Sequence, residues 1–458
     1  MKKALFSLGF LSLSLGMFAQ SSPSWVAQGI KQATSFAPRE ISIPSANTAW
    51  ISIYDGSGAG TYPKTFSKTT DGTNWTAGTV GGAPNASLVG DIFALNDTTA
   101  WVVLATTGAI NNNGVWKTVN GGTTWTKQAN AYNPASSASF ANLIHFWNEN
   151  EGWTAGDPVN GKYEMYRTTN GGTTWSLVPG APVPSASDEY GLTGCKYVVG
   201  DHVWFGTTKG RLFHSADRGQ TWTAAFTPAL DFGGGAAGGG VDGSSAKMAF
   251  KDGSNGLLIA VDNSVDAVMY NTTDGGANWE PMDPQGTWFF GDIVHVPGTA
   301  NTYVSTGVNS SAAQGTGSSY SLDGGLNWTL IDNIPGVDGG QRGTVKFFND
   351  TTGWCGFFSD GTAGSAGIFK FNGNFLAVND AVKGKSNLKV FPNPAVDVVK
   401  ISSDKNIKSV TVFDASGKKV KSFASSNDVN VSTLAKGTYV LQVHYDGGAV
   451  ENTKLIKK

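Results

Sequence analysis

The sequence predicts an all-β chain: a seven-bladed β-propeller followed by a small antiparallel β-sandwich. Three observations carry this. Gly at 61 residues, Trp at 15 and only 14% charged residues favour strands and tight turns over helices. No segment holds a helical apolar period for long, and Thr, Val, Trp, Phe and Gly dominate. A turn-like motif recurs about every fifty residues, a period characteristic of stacked four-stranded units.

At the N-terminal end, Lys2 and Lys3 precede an apolar stretch from Ala4 to Met17 and a small-residue step, Phe18-Ala19, before Gln20. Residues 1–19 read as a cleaved targeting segment. The apolar run is shorter than the roughly 20 residues that span a bilayer, and no later stretch qualifies. No transmembrane span is expected in the mature chain.

The repeated motif is a hydroxyl residue, any residue, Asp or Asn, any residue, Gly, two more, then Trp. It stands at Thr118 to Trp125, Thr168 to Trp175, Ser215 to Trp222, Thr272 to Trp279 and Ser321 to Trp328. A copy at Thr69 to Trp75 is one residue shorter. A second mark precedes each by about 25 residues, at Trp50, Trp101, Trp153 and Trp204, with Leu257 and Tyr303 in the weaker copies and Trp354 opening a further unit. That makes seven units over residues 20–373. The last lacks the motif, and Ser24 to Ala27 resembles the strand that follows each copy, so the N-terminal strand is expected to complete the last blade and cover an exposed edge.

These copies resemble the Asp-box of the sialidase superfamily, which includes sialidases, xyloglucanases, sortilin-type receptors and photosystem II assembly factors. The resemblance implies the fold and says little of function. An Asp or Asn side chain accepts from nearby backbone N–H groups, Gly supplies positive φ, and Trp buries a large ring. Asp71, Asn120, Asn170, Asp217, Asp274 and Asp323, with Trp75, Trp125, Trp175, Trp222, Trp279 and Trp328, are therefore assigned to structure rather than catalysis.

A linker is expected at residues 374–387, and the composition changes after it. Residues 388–458 contain Phe391-Pro392-Asn393-Pro394, alternating strands at Val398 to Ile401 and Val410 to Phe413, the turn Asp414 to Lys418, Gly437 to Leu441 and a lysine-rich terminus. In that order these are similar to the type A sorting domain of the type IX secretion system of Bacteroidetes. The resemblance implies export across both membranes, recognition of this domain by the secretion machinery, and a secreted or outer-surface location.

Charge divides the same way. From Lys385 onward twelve Lys face six Asp plus Glu; removing that balance and the two leading lysines from the total of −2 leaves −10 for the middle. An acidic propeller argues against a nucleic-acid partner.

Chemistry is sought where propeller loops converge on the channel. Residues entering the inner strands are Arg39, Glu40, Asp91, Asn142, Thr193, Lys247, Asp292 and Arg342; longer loops add Asp55, Asp157, Asp188, Glu189, Tyr190 and Trp288. Asp91, Asp157, Asp188 and Asp292 are the candidates for a glycosidase carboxylate pair. Arg39, Glu40, Tyr190, Trp288 and Arg342 are the ligand-binding candidates. A sialidase needs three arginines to clamp its substrate's carboxylate, and of Arg39, Arg167, Arg211, Arg218 and Arg342 only Arg39 and Arg342 are placed for it. No metal cluster or cofactor motif is found: the five His are scattered, and Gly233 to Gly240 lacks the Lys-Ser/Thr of a phosphate loop. Cys195 and Cys355 fall three blades apart and are expected as separate thiols. The chain thus reads as an exported propeller binding a glycan, a protein or an envelope component, with a secreted glycoside hydrolase as the rival.

Overall fold

The computed structural model describes residues 22–33, 35–57, 62–85, 87–106, 114–132, 136, 138–233, 244–262, 266–308, 315–333, 341–356, 367–375, 388–403, 406–414, 418–445 and 450–458. The targeting segment, residues 234–240 of the glycine run and residues 376–387 of the linker lie outside them. The chain divides into two compact units, Met1–Ala377 and Val378–Lys458.

The first unit holds seven four-stranded antiparallel sheets among the described residues. Their inner strands are Phe36–Ser45, Ser87–Ala94, Ala141–Phe146, Gly191–Val199, Ser245–Phe250, Asp292–His295 and Val345–Asn349, for blades one to seven. Each neighbours the next, and that of blade seven neighbours that of blade one, which closes the ring. Blade seven takes its outermost strand from the N-terminal end: Ser24 pairs with Asn372 and Gln28 with Ile368. The Gln28 carboxamide oxygen accepts from the indoles of Trp75 in blade one (2.8 Å) and Trp354 in blade seven (3.1 Å), fastening the closure from both sides.

The second-strand tryptophans, Trp50, Trp101, Trp153, Trp204 and Trp354, are fully buried. Several reach the next blade. Trp101 of blade two donates to Gly171 O in the turn of blade three (3.2 Å), and Trp204 of blade four to Gly275 O in that of blade five (2.8 Å). Burial of the ring and satisfaction of its N–H thus occur together at the blade interface.

The repeated turns show why their residues recur. In blades two to six the leading hydroxyl accepts from a glycine N–H, as Thr272 does from Gly276 (3.0 Å), and the Asp or Asn oxygen accepts from the N–H before the Trp, as Asp274 does from Asn278 (2.9 Å). The glycines Gly275 and Gly276 sit at φ +75° and +92°, where a Cβ is strained. Side-chain polarity is matched within each copy: Asn120 donates to the Thr124 hydroxyl (2.8 Å), whereas Asp274 accepts from the Asn278 carboxamide (2.8 Å). These bonds hold the exposed Asp274 carboxyl down to about 2. Its stabilisation is therefore complete above the ordinary carboxylate range near pH 4 and lost as pH falls towards 2. Asp274→Ala is expected to lower stability by about 1 kcal/mol at pH 7, by analogy with a lost helix cap, and by clearly less at pH 2, where the carboxyl is about half protonated; thermal melts at the two pH values check this.

Phe375, at the start of the expected linker, is fully buried and stacks on Phe371 at 4.6 Å, so propeller packing extends past residue 373. Cys195 and Cys355 are unpaired thiols in blades four and seven.

The second unit packs a three-stranded sheet (Lys389–Phe391, Val398–Ser402, Asp428–Asn430) with a four-stranded one (Ile407–Asp414, Lys419–Ala424, Gly437–Tyr445, Val450–Lys457). Alternation places Val399, Ile401, Val410, Val412, Leu441, Val443 and Leu455 in the core. The Asn393 carboxamide donates to Lys454 O (2.7 Å) and accepts from Ile456 N (2.8 Å), tying the Phe-Pro-Asn-Pro segment to the last strand.

Candidate functional site

Two cavities lie among the inner strands. The first, about 410 Å³, is lined by residues of blades one, four, five, six and seven, including Arg39, Tyr54, Thr193, Lys247 and Asp292. The second, about 350 Å³, is largely apolar, with Ile41, Ile43, Ile92, Val198, Val294 and Phe347. Both are bounded by Glu40, Lys196 and Lys346, a charged girdle between them. His145 and His295 line the apolar side, and burial pushes them down to about 3 and about 4, so they are neutral at pH 7.

Arg39 reaches across the channel from blade one and donates to the Thr193 hydroxyl of blade four (2.9 Å). Its guanidinium lies 5.5 Å from the Tyr54 ring centroid. Glu40 reaches to the same strand: a Cβ on Gly194 would fall 2.0 Å from Glu40 Oε1, and Gly194 holds φ +74°. Gly194 is thus required both for its backbone angle and for the carboxyl resting on it.

Asp91 and Asp292 do the same work in different blades. Fully buried Asp91 accepts from its neighbour Ile92 N (2.8 Å) and, across the blade boundary, from Ile144 N of blade three (2.8 Å). Asp292 accepts from Ile293 N (2.9 Å) and from Val345 N of blade seven (2.9 Å). Each carboxylate stitches one inner strand to the next. Asp91 also pairs with Lys196 of blade four.

The other candidates lie elsewhere. Asp157 accepts from Asn142 Nδ2 (2.7 Å) and Gly191 N (3.1 Å), joining blades three and four, and burial pushes it up to about 7. Exposed Asp188 pairs with Lys209 at 2.7 Å. Glu189 is buried and bound by Ser185, Thr207 and Arg211. Asp55 accepts from Ser57 N (2.9 Å). Tyr190 donates its backbone N–H to the Thr208 hydroxyl (3.0 Å), and half-buried Trp288 meets Phe290 edge-on at 6.3 Å; neither lines a cavity. Arg342 lines neither cavity. It is 3% exposed, ion-paired to Asp332 at 2.5 Å and laid over Phe369 at 3.8 Å, because the burial available between blades six and seven is occupied by its own apolar and acidic partners.

Asp292, Arg39, Glu40, Thr193 and Lys247 therefore line the larger cavity, and Asp91 lies buried behind it, paired with Lys196. Lys196 and Lys346 were not anticipated. Lys196 stands two residues after Gly194 on the same inner strand, and Lys346 is offset from the strand start at Val345, so counting strand beginnings missed both.

Glu40 carries the clearest pH signature. Burial, then the Asp91 charge, push its carboxyl up to about 7 against the opposing pull of Lys346 and Lys196. A carboxyl raised on folding binds more protons in the native state between its unfolded value near 4.5 and 7, so stability falls as pH rises through that window. Glu40→Gln is expected to leave stability at pH 4 unchanged and to raise it at pH 8 by about 1–3 kcal/mol, read by urea denaturation at both pH values.

Residues 389–458 match the family described as Secretion system C-terminal sorting domain. Among solved structures, YCF48 from Cyanidioschyzon merolae is 13% identical, over 77% of this chain and 99% of that one, at a TM-score of 0.52. A YCF48 bound to D1 peptide is 17% identical over 77% of this chain and 100% of its own, at 0.47. A Trypanosoma rangeli sialidase is 10% identical over 94% and 89%, at 0.44. The first of these likenesses shows the fold alone. No curated protein matches the chain. The sorting domain makes this a type IX secretion cargo, secreted or held at the outer surface, which engages that machinery through its C-terminal unit. Among the described residues no helix is long and apolar enough to cross a membrane.

Proposed function

We propose that this protein is a non-enzymatic exported binding module whose channel cavity receives a protruding group of an extracellular glycan. One observation carries the reading. The acids best placed for hydrolysis, Asp91 and Asp292, are committed to backbone donors between blades, whereas cationic Arg39 and Lys247 and the Tyr54 ring face open volume. A cavity of about 410 Å³ with a few convergent polar groups falls within the usual range of ligand sites. A volume of that size among the inner strands suits a projecting sugar better than a flat protein surface.

The test is retention of plant, bacterial and host polysaccharides on the immobilised protein. Arg39→Ala and Lys247→Ala are each expected to weaken retention about tenfold, or about 1.4 kcal/mol. Retention indifferent to both variants would place the ligand elsewhere, and capture of protein partners alone would remove the glycan from the assignment.

A second reading, glycoside hydrolysis, is favoured by Glu40, whose carboxyl holds a proton up to about 7 as a general acid must. It requires a second carboxylate; among the described residues the other acid lining the same cavity is Asp292, which would have to act while accepting from Ile293 N and Val345 N.

A further inference from the structure

Four cationic side chains from four blades line the larger cavity: Arg39 of blade one, Lys196 of blade four, Lys247 of blade five and Lys346 of blade seven. Lys196 is neutralised by Asp91. Neither Lys247 nor Lys346 has a carboxylate within ion-pair distance among the described residues, and Arg39 Nε is buried without a hydrogen-bond partner among them. The propeller as a whole carries an excess of acid, so this local concentration of positive charge runs against the global field. The four cations outnumber the two acids that line the same cavity, Asp292, which accepts from Ile293 N and Val345 N, and Glu40, on which Lys346 and Lys196 pull, and surplus half-buried positive charge is costly unless a counter-ion joins it.

The donor geometry narrows what that ion is. Planar carboxylates are best taken by paired guanidinium forks, whereas ammonium groups act as point charges that converge on a non-planar oxyanion from several directions. Here one guanidinium stands with ammonium groups of different blades. From this geometry we infer that the cavity binds a sugar bearing a tetrahedral oxyanion, a sulfate or phosphate monoester, with Lys247 and Lys346 as its principal contacts. This rests on the glycan-binding reading of the same cavity. Glu40, whose proton is retained to about 7, then donates rather than repels at mildly acidic pH.

Titration calorimetry of the purified full chain with glucose 6-sulfate, glucose 6-phosphate, glucuronate and glucose tests it. One of the two esters is expected to bind about tenfold or more tighter than glucuronate, with glucose undetected; the preferred ester tells a sulfated from a phosphorylated source. Lys247→Met and Lys346→Met are each expected to weaken ester binding about tenfold or more while remaining folded. Lys247→Met is expected to melt no lower than the parent, since no carboxylate of the described residues lies within ion-pair distance of Lys247, whereas Lys346→Met gives up the attraction of Glu40 and the Tyr197 face 5.5 Å away. Lys370→Met, which removes the ammonium lying over Trp354 outside the cavity, is expected to change nothing. Equal binding of glucuronate and the esters, or ester binding unmoved in both cavity variants, overturns the inference. If polysaccharides are retained through the cavity with no ester preference, only this inference fails. Should the esters bind through Lys247 and Lys346 while no polysaccharide is retained, the glycan reading fails and the oxyanion site stands.

Discussion

Asp91→Ala is expected to destabilise the propeller by about 3–5 kcal/mol, the range for removing one partner of a buried ion pair. Three groups lose their acceptor together: Ile92 N, Ile144 N and the Lys196 ammonium. The backbone donors lie where the inner strands of blades two and three meet, and each is costly to bury unpaired. Burial raises the Asp91 carboxyl against the pull of Lys196, so the isolated charge is itself unfavourable there; its hydrogen bonds and its partner keep it in place. Asp292→Ala, which orphans two backbone donors and no lysine, is expected to cost less, about 1–3 kcal/mol. Adding Lys196→Met to Asp91→Ala is expected to recover part of the loss, since the stranded cation is gone. Urea denaturation of the four proteins measures all of this. Equal costs at Asp91 and Asp292, or no recovery in the double variant, would mean that the lysine pairing is incidental.

Trp204→Ala is expected to cost about 3–5 kcal/mol, as for other fully buried tryptophans. The indole lies flat between His214 of its own blade, at 4.5 Å and 6°, and Phe250 of blade five, at 3.9 Å and 4°. Its N–H satisfies Gly275 O in the neighbouring turn. Truncation therefore opens a cavity at a blade boundary and orphans a carbonyl at the same point. Trp222 in the turn motif of blade four is only half-buried and donates to Gly219 O of its own turn at 3.2 Å, so Trp222→Ala is expected to cost clearly less. Thermal melts compare the two; a larger loss at Trp222 would show that the turn tryptophans, rather than those of the second strands, hold the blades together.

The architecture could be read from the chain because its signals are local and repeated. A hydroxyl, an Asp or Asn, a glycine and a tryptophan at fixed spacing specify a hairpin by their own hydrogen bonds, and the copies cannot drift without losing them. The closure by Ser24–Gln28 was legible for the same reason: a seventh second-strand mark at Trp354 with no turn motif after it left one strand missing.

The channel was far less legible. Which side chains of an inner strand face the axis depends on the phase of its alternation, and a bulge moves that phase by one residue. Pairing between inner and second strands shifts register between Pro38 and Ile41, Val89 and Asp91, Ala141 and Leu143, and Gly191 and Lys196, beside the channel in blades one to four. Strand starts could nominate Asp91 and Asp292 but could not tell that both turn onto the backbone of the next blade. Nor could they tell that Arg342 turns away into Phe369 while Lys196 and Lys346 reach the girdle. Long-range pairs such as Arg39 with Thr193, far apart in sequence, leave no local pattern at all.

On the function proposed above, the channel binds without cleaving. This is tested most directly by incubating the purified protein with each polysaccharide it retains and assaying new reducing ends over many hours, with Glu40→Gln and Asp292→Asn alongside. Retention with no release above the buffer control is expected for all three proteins. Release by the parent that disappears in Glu40→Gln or Asp292→Asn, with both variants still folded, would contradict it and make the channel an active site.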